Sequence, residues 1–351
     1  MPSIPLIQEE LTSIVIEDLY KVGLDLDKCF GIDEIGSTDT MSSMGGRCNK
    51  LTLHCQTFEG KAETIPAADF YGSLDGKTDS TIDRGALKGC GPCLTPVEVE
   101  IDDICRYCFK LTPEMLNCWN NDMLNRSIVN EIRYGINAVA CKIMIKGLLL
   151  IQEAVTEFNE GAGVQSIDPA AFQWRDLLGI RSHFKKACRD TNICGMLGVD
   201  YYTELIAELG CDKQMPTESY GNAIITGGEL PNSQTAGINI MEFEKLCEGD
   251  LAEIGGVFGV KSGMAFNTRQ WINLDGKPLS GLQEFGAITN SDMLPVGVKN
   301  RMAFRDPKTG ITMWMDFVMN GYESCGINIY AEPAMKVIKP ESFCLVTKAK
   351  G

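Results

Sequence analysis

Hydrophobic and polar positions along the 351 residues fall into stretches of different period. Lys50-Leu-Thr-Leu-His-Cys-Gln-Thr-Phe58 alternates polar and apolar, and so does Thr95-Pro-Val-Glu-Val-Glu-Ile-Asp102. Period two predicts a strand in each. Between them, Lys61 to Gly89 is polar and rich in Gly and Asp, with too little apolar content for a core of its own. Two strands joined by a long polar excursion predict a projecting two-stranded loop. An isolated hairpin is marginal in water, so such a loop needs another surface to lie on.

The period then changes. Thr112-Pro113-Glu114 is a helix start, with Thr as N-cap, Pro at the first position and an acid in the first turn. Apolar residues follow at Leu116, Trp119, Met123, Ile128, Ile132, Ile136, Val139 and Ile143, a spacing that keeps them on one side of a helix. A helix from Pro113 to Phe158 would run about 65–70 Å at 1.5 Å per residue. Globular helices average about 11–12 residues, so this one must be a backbone of the fold. Glu160-Gly-Ala-Gly163 ends it. Asp168-Pro169 opens a second helix, Ala170 to Cys188. Gly195 to Asp200 reads as a turn into a third, Tyr201 to Leu209.

Met215 to Gly263 mixes short strands with Gly-rich turns, and Trp271 to Gly286 reads as loop. The remainder reads as strands: Arg301 to Phe304, a Pro307-Lys-Thr-Gly310 turn, Ile311 to Met319, and Gly326 to Ala331.

Charge sharpens one end. The chain carries 47 acids against 32 Lys and Arg, a net −15. Residues 1–40 hold nine acids against Lys21 and Lys28, with Ile14-Val15-Ile16, Leu24 and Leu26 breaking up the charge. They read as an acidic arm packed on something larger. The net charge excludes a dedicated sequence reader of nucleic acid, which needs a basic face. Met1 to Leu26 lacks the basic region and apolar stretch of a secretory signal, and Ile143 to Ile151 is far short of a membrane helix. The expectation is a soluble chain made in a cytosol-like compartment, with no membrane partner.

Fifteen Cys and two His frame the candidate chemistry. Cys90-Gly-Pro-Cys93 and Cys105-Arg-Tyr-Cys108 are two Cys-x-x-Cys pairs that can place four thiolates around a structural zinc. The Val97-Glu-Val-Glu-Ile101 between them is a strand pattern without the tight hairpin of a zinc ribbon. The plainer reading is that most cysteines are small buried side chains. Cys90-Gly-Pro-Cys93 also matches a redox dithiol, but a strand rather than a helix follows it. Gly255-Gly-Val-Phe-Gly-Val-Lys261-Ser262 is a near-miss to a phosphate loop, with Val260 where glycine is needed, and Gly-rich strand turns explain it better. His54 and His183 each have a Cys nearby, Cys55 and Cys188, without evidence of paired geometry. No catalytic residue is assigned, and no cofactor is expected unless the four cysteines hold zinc.

The order of elements resembles the major capsid proteins of tailed bacteriophages, the Hong Kong 97 fold. The resemblance begins at Thr95-Pro-Val-Glu-Val-Glu-Ile-Asp-Asp-Ile-Cys-Arg-Tyr-Cys-Phe-Lys-Leu-Thr-Pro-Glu-Met-Leu116, which is similar to the strand and helix-opening phrase before the family's spine helix. Leu116 to Glu153 resembles that spine, and Val199 to Leu209 the short helix of the axial domain. Ala331-Glu-Pro-Ala-Met-Lys-Val-Ile-Lys-Pro-Glu-Ser-Phe-Cys-Leu-Val346 resembles the closing strand with its Pro-Glu-x-Phe end.

The resemblance implies an α+β fold with an N-terminal arm at 1–44, an extended loop at 45–102 and a peripheral domain with the spine helix at 103–165. An axial domain at 166–298 and C-terminal strands returning to the peripheral domain at 299–351 complete it. It further implies a non-enzymatic subunit forming hexamers and pentamers of an icosahedral head, assembled in the host cytoplasm. The implied partners are scaffold, portal and decoration proteins and non-specifically packaged double-stranded DNA. Two alternatives stand beside it: an encapsulin-like protein compartment, and a zinc- or thiol-dependent protein built on Cys90, Cys93, Cys105 and Cys108.

Overall fold

A computed structural model describes residues 50–57, 93–101, 103–112, 121–161, 163–186, 193–211, 237–260, 263–268, 298–305, 312–320 and 324–349. The helix start at Thr112 to Glu114, the turn at Pro307 to Gly310, residues 271–286 and the acidic arm lie wholly or mostly outside these.

In chain order the strands are β1 (Lys50–Thr57), β2 (Cys93–Glu100), β3 (Cys105–Leu111), β4 (Val164–Ser166), β5 (Ile193–Leu197), β6 (Ile238–Glu242), β7 (Ile254–Val260), β8 (Met264–Thr268), β9 (Val298–Arg305), β10 (Thr312–Asn320), β11 (Ser324–Ala331), β12 (Pro333–Val337) and β13 (Phe343–Thr347). The helices are α1 (Asn121–Glu157), α2 (Trp174–Lys186) and α3 (Val199–Cys211).

The chain divides into two compact units. The smaller holds Glu34–Ser37 and Thr52–Glu98, and the larger holds the rest. β1 and β2 pair as a two-stranded sheet. Both alternating stretches are strands, displaced by no more than two residues from the sequence expectation.

The larger unit is organised by α1. Its described span of 37 residues extends about 55 Å at 1.5 Å per residue. Ile128, Ile132, Ile136, Val139 and Ile143 are buried, as their spacing predicts, and Met144, Leu148, Ile151 and Val155 continue the seam. They share one core with Leu111, Met313, Met315, Ile327 and Ile329 of one sheet and with Val257, Phe343 and Leu345 of another. One helix therefore buries the inner faces of both sheets.

The first sheet has the order β3-β11-β10-β9. β11 runs antiparallel to β3 with Ile327 opposite Phe109, and antiparallel to β10 with Ile327 opposite Phe317. Gly135 of α1 lies where this sheet comes closest: a Cβ there would meet Ile329 Cδ1 at 2.7 Å and the Tyr107 ring as well. β3 corrects the sequence reading, which gave Cys105 to Leu111 to a metal motif and a helix-opening phrase. Cys-Arg-Tyr-Cys-Phe-Lys-Leu alternates buried and exposed positions, which is the strand signature.

The second sheet has the order β4-β13-β7-β5-β6. α1 covers one face, and α2 with α3 covers the other. Along β13, Phe343 and Leu345 enter the α1 core while Cys344 and Val346 enter a second core with Phe184, Tyr201 and Leu205. β7, Ile-Gly-Gly-Val-Phe-Gly-Val, is buried at every position. Gly255 to Val260, read from sequence as Gly-rich turns, is thus the interior of a central strand. Strands buried on both faces lose the alternation that marks half-buried ones. Gly195 to Leu197, read as a turn, belongs to β5 of this same sheet.

Local chemistry fixes the helices on that face. Asp168 caps a 3₁₀ turn over Pro169–Ala171 by accepting from the Ala170 amide at 3.0 Å. α2 starts at Trp174, where Asp176 Oδ2 accepts from the Gln173 amide at 2.7 Å. Glu208 of α3 accepts from the Trp174 amide at 2.6 Å, which satisfies an otherwise orphaned donor and ties α2 to α3. Tyr201 Oη donates to the Ile167 carbonyl at 2.7 Å.

The C-terminal segment 299–351 divides between the sheets. β9, β10 and β11 build the first sheet with β3. β12 instead pairs with β8, and β13 lies between β4 and β7 in the second sheet.

Candidate functional site

The four cysteines of the proposed metal motif are distributed as follows. Cys90 lies outside the described residues. Cys93 opens β2, its side chain outside the description. Cys105 is 6% exposed and packs into the α1 core. Cys108 is exposed on the opposite face of β3. Side chains three apart on a strand point to opposite faces, so the structure does not bring Cys105 and Cys108 together. Among the described residues no group of three or more His, Cys, Asp or Glu side chains is placed to hold a metal.

Burial sets the character of the other thiols. It pushes the Cys344 thiol up to about 12. It likewise raises Cys105, where the charges of Lys146 and Lys142 oppose it, and Cys141, Cys247 and Cys325. Nucleophiles and metal ligands need the thiolate, which these surroundings disfavour. His183 stands edge-on to Phe184 with ring centroids 5.4 Å apart. Cys188, its sequence neighbour, lies outside the described residues, as do the side chains of His54 and Cys55.

The outward side of α1 forms an open groove of about 750 Å³ with the segment after β6. Ala138, Cys141, Ile145 and Phe243 supply its apolar lining and Lys142, Glu242, Glu244 and Lys245 its charged lining, and Tyr134 is 64% exposed. Asn137 contributes a buried Oδ1 with no hydrogen-bond partner among the described residues. Lys142 pairs with Asp250 at 3.5 Å, and Lys146 with Asp103 at 3.0 Å.

A second surface was not anticipated from the sequence. On the outward face of β3, Arg106, Cys108 and Lys110 are all exposed. Arg106 Nη2 donates to Asn328 Oδ1 at 2.9 Å, and its guanidinium lies 5.6 Å from the centroid of the Tyr330 ring. Tyr330 in turn stacks on Trp314, with centroids 5.4 Å apart and planes at 27°. These side chains sit on neighbouring strands in register, Arg106 opposite Tyr330 and Tyr330 opposite Trp314. On the inner face Tyr107 Oη donates to Glu131 Oε2 at 3.1 Å, and its hydroxyl is pushed up to about 12 by burial first and Glu131 second. The available signal was the alternation of Arg106, Cys108 and Lys110, which the two cysteines drew toward a metal reading. Trp314 is itself buried, so the exposed part of this stack is Arg106 with the half-buried edge of Tyr330.

The sequence matches no family model and no curated protein. Solved structures similar to this chain include phage capsids, a virus-like particle and an encapsulin complex from Synechococcus elongatus. The capsid protein of cyanophage P-SCSP1u superimposes with a TM-score of 0.47 at 10% identity, over 87% of this chain and 85% of that one. A virus-like particle from Pyrococcus furiosus gives 0.46 at 10% identity, over 96% and 98%. Mycobacterium phage Che8 gives 0.44 at 12% identity, over 86% and 85%.

Proposed function

We propose that this chain is the major capsid subunit of a tailed-phage head with a Hong Kong 97-type fold, a structural protein without catalytic activity. It assembles with itself into hexamers and pentamers of an icosahedral shell around double-stranded DNA. In this reading α1 is the spine helix, and with the β3-β11-β10-β9 sheet it forms the peripheral domain. The five-stranded sheet with α2 and α3 is the axial domain, and β1–β2 begins and ends the extended loop.

The observation that carries the reading is the smaller unit. β1 and β2 pair with each other in a two-stranded sheet, and Thr52–Glu98 falls in a compact unit separate from the one that holds the rest of the chain. A two-stranded extension without a core gains its stability from another surface. Long excursions of this kind are usually functional. Contacts repeated from copy to copy close into rings and shells. A net charge of −15 suits a container, because DNA inside it needs only weak and non-specific contacts. Scaffold, portal and decoration proteins belong to the same proposal as partners, with the virion as the final location.

Negative-stain electron microscopy of the purified chain tests the reading, and closed icosahedral particles are expected. Nuclease-protected double-stranded DNA in particles from the native host supports a phage head, whereas enclosed protein cargo would make it an encapsulin-like compartment. A monodisperse monomer carrying stoichiometric zinc would overturn the shell reading in favour of a metal protein built on the Cys-x-x-Cys pairs.

A further inference from the structure

We propose that the groove between α1 and the segment after β6 receives a basic amphipathic helix of a different polypeptide. This goes beyond the shell reading, and it follows from the shape, charge and unmet hydrogen bonding of the groove itself.

α1 sets the shape. Tyr134, Ala138, Cys141 and Ile145 line the groove at steps of four, three and four residues, which is one face of a helix. They span about 16 Å along the axis, or three turns. A three-turn helix laid beside α1 matches that length, with its apolar side chains against Cys141, Ile145 and Phe243 of the opposite wall. Ala138 is small, so a neighbouring backbone can come close there. Tyr134, 64% exposed, adds a large aromatic surface.

The opposite wall sets the charge. Residues 242–253 hold Glu242, Glu244, Glu248, Asp250 and Glu253 against Lys245. All five acids are exposed. Five in these twelve residues, against 47 in 351, is about three times the density of the whole chain. Lys245 lies 3.6 Å from both Glu244 and Glu248, and Lys142 lies 3.5 Å from Asp250. The two lysines of the groove are thus offset already, and an excess of carboxylate faces the occupant. Such a field attracts a cationic partner.

Asn137 points to the same chemistry independently. It belongs to the lining face of α1, and its Oδ1 is buried with no hydrogen-bond partner among the described residues. A buried acceptor without a donor is costly, and an occupant that brings a donor removes the cost. Lys and Arg side chains are donors only.

The described part of this chain does not offer such a helix. α2 carries Arg175, Arg181, Lys185 and Lys186 against Asp176, but its apolar residues Leu177, Ile180 and Phe184 are buried in the second core.

The test uses a fluorescent synthetic helix of about 14 residues, with leucines on one face, lysines on the other and one photoreactive leucine. Anisotropy titration of the purified full chain should show saturable binding, and the same peptide with Glu for Lys should not bind. Glu242→Gln and Glu244→Gln, both at exposed positions, should each weaken binding about two- to fivefold. Ala138→Phe, which fills the groove, should weaken it about tenfold. Circular dichroism checks the fold of each variant, and the two Glu→Gln variants serve if Ala138→Phe does not fold. Photolysis should attach the peptide to residues 134–145 or 242–245. Attachment solely elsewhere, equal binding of the Glu peptide, or affinity unchanged by both Glu→Gln substitutions would overturn the inference. So would wild-type chain that shows no saturable binding.

Discussion

A Cβ placed on Gly255 would run into the ring of Tyr201, and one on Gly256 would meet Leu197 Cδ2 at 2.6 Å. Gly255 lets Tyr201 of α3 lie close on β7, and Gly256 makes room for Leu197 of the neighbouring β5. Gly255→Ala should therefore destabilise the subunit by about 1–3 kcal/mol, the usual cost of overpacking a core, seen as a lowered Tm. The cysteines make a second prediction at this scale. Cys344 has an ordinary value of 9.0, raised by burial to about 12 in the fold. Above pH 9 the unfolded chain releases this proton and the folded chain keeps it. The thiol's contribution to stability is fully present below pH 9 and declines as pH rises toward 12. Denaturant midpoints should be insensitive to Cys344→Ala-type differences in pH response below pH 9 and diverge above it. A thiol reagent at pH 8 should label exposed Cys108 in the native chain and leave Cys344 and Cys105 untouched until unfolding.

Among the elements, α1 carries the most. Its seam was legible because 3.6-residue periodicity repeats over many turns, and the structure buries the predicted Ile128, Ile132, Ile136, Val139 and Ile143. Ile136→Ala should cost about 2–5 kcal/mol by equilibrium unfolding, with both sheets lost in one transition, because one core joins them through this helix. Separate transitions for the two sheets would contradict that coupling. β3 and β7 were less legible for opposite reasons. Seven residues of alternation in β3 were masked by two cysteines at metal-ligand spacing. In β7, burial on both faces removed the alternation and left only glycines in view.

At the scale of the whole molecule, the prediction concerns the extended loop. Deleting Lys61–Gly89 should leave the larger unit folded, with the circular dichroism and Tm of the parent, because the deleted residues belong to the smaller compact unit. The same deletion should abolish particles in electron microscopy. Loss of all folded signal would place the loop inside the fold. Normal particles would show that assembly does not use it. The zinc question also belongs here. Four thiolates from two distant pairs must meet at one point, and Cys105 and Cys108 leave β3 on opposite faces.

The sequence by itself determined the elements whose periodicity is long or clean. These are the two strands bounding the polar excursion, the long helix, the Asp168 cap and the closing strands. It also placed the acidity in the first 40 residues. Each of these is a local property, written in spacing and composition. The tertiary structure decided what depends on neighbours far along the chain. It set Cys344 and Val346 against α2 and α3 while Phe343 and Leu345 face α1. It divided the C-terminal strands among three sheets, and it brought Arg106, Tyr330 and Trp314 from three strands into one stack. Pairing between residues 106 and 330 leaves no mark in local periodicity, because only folding brings their strands into register.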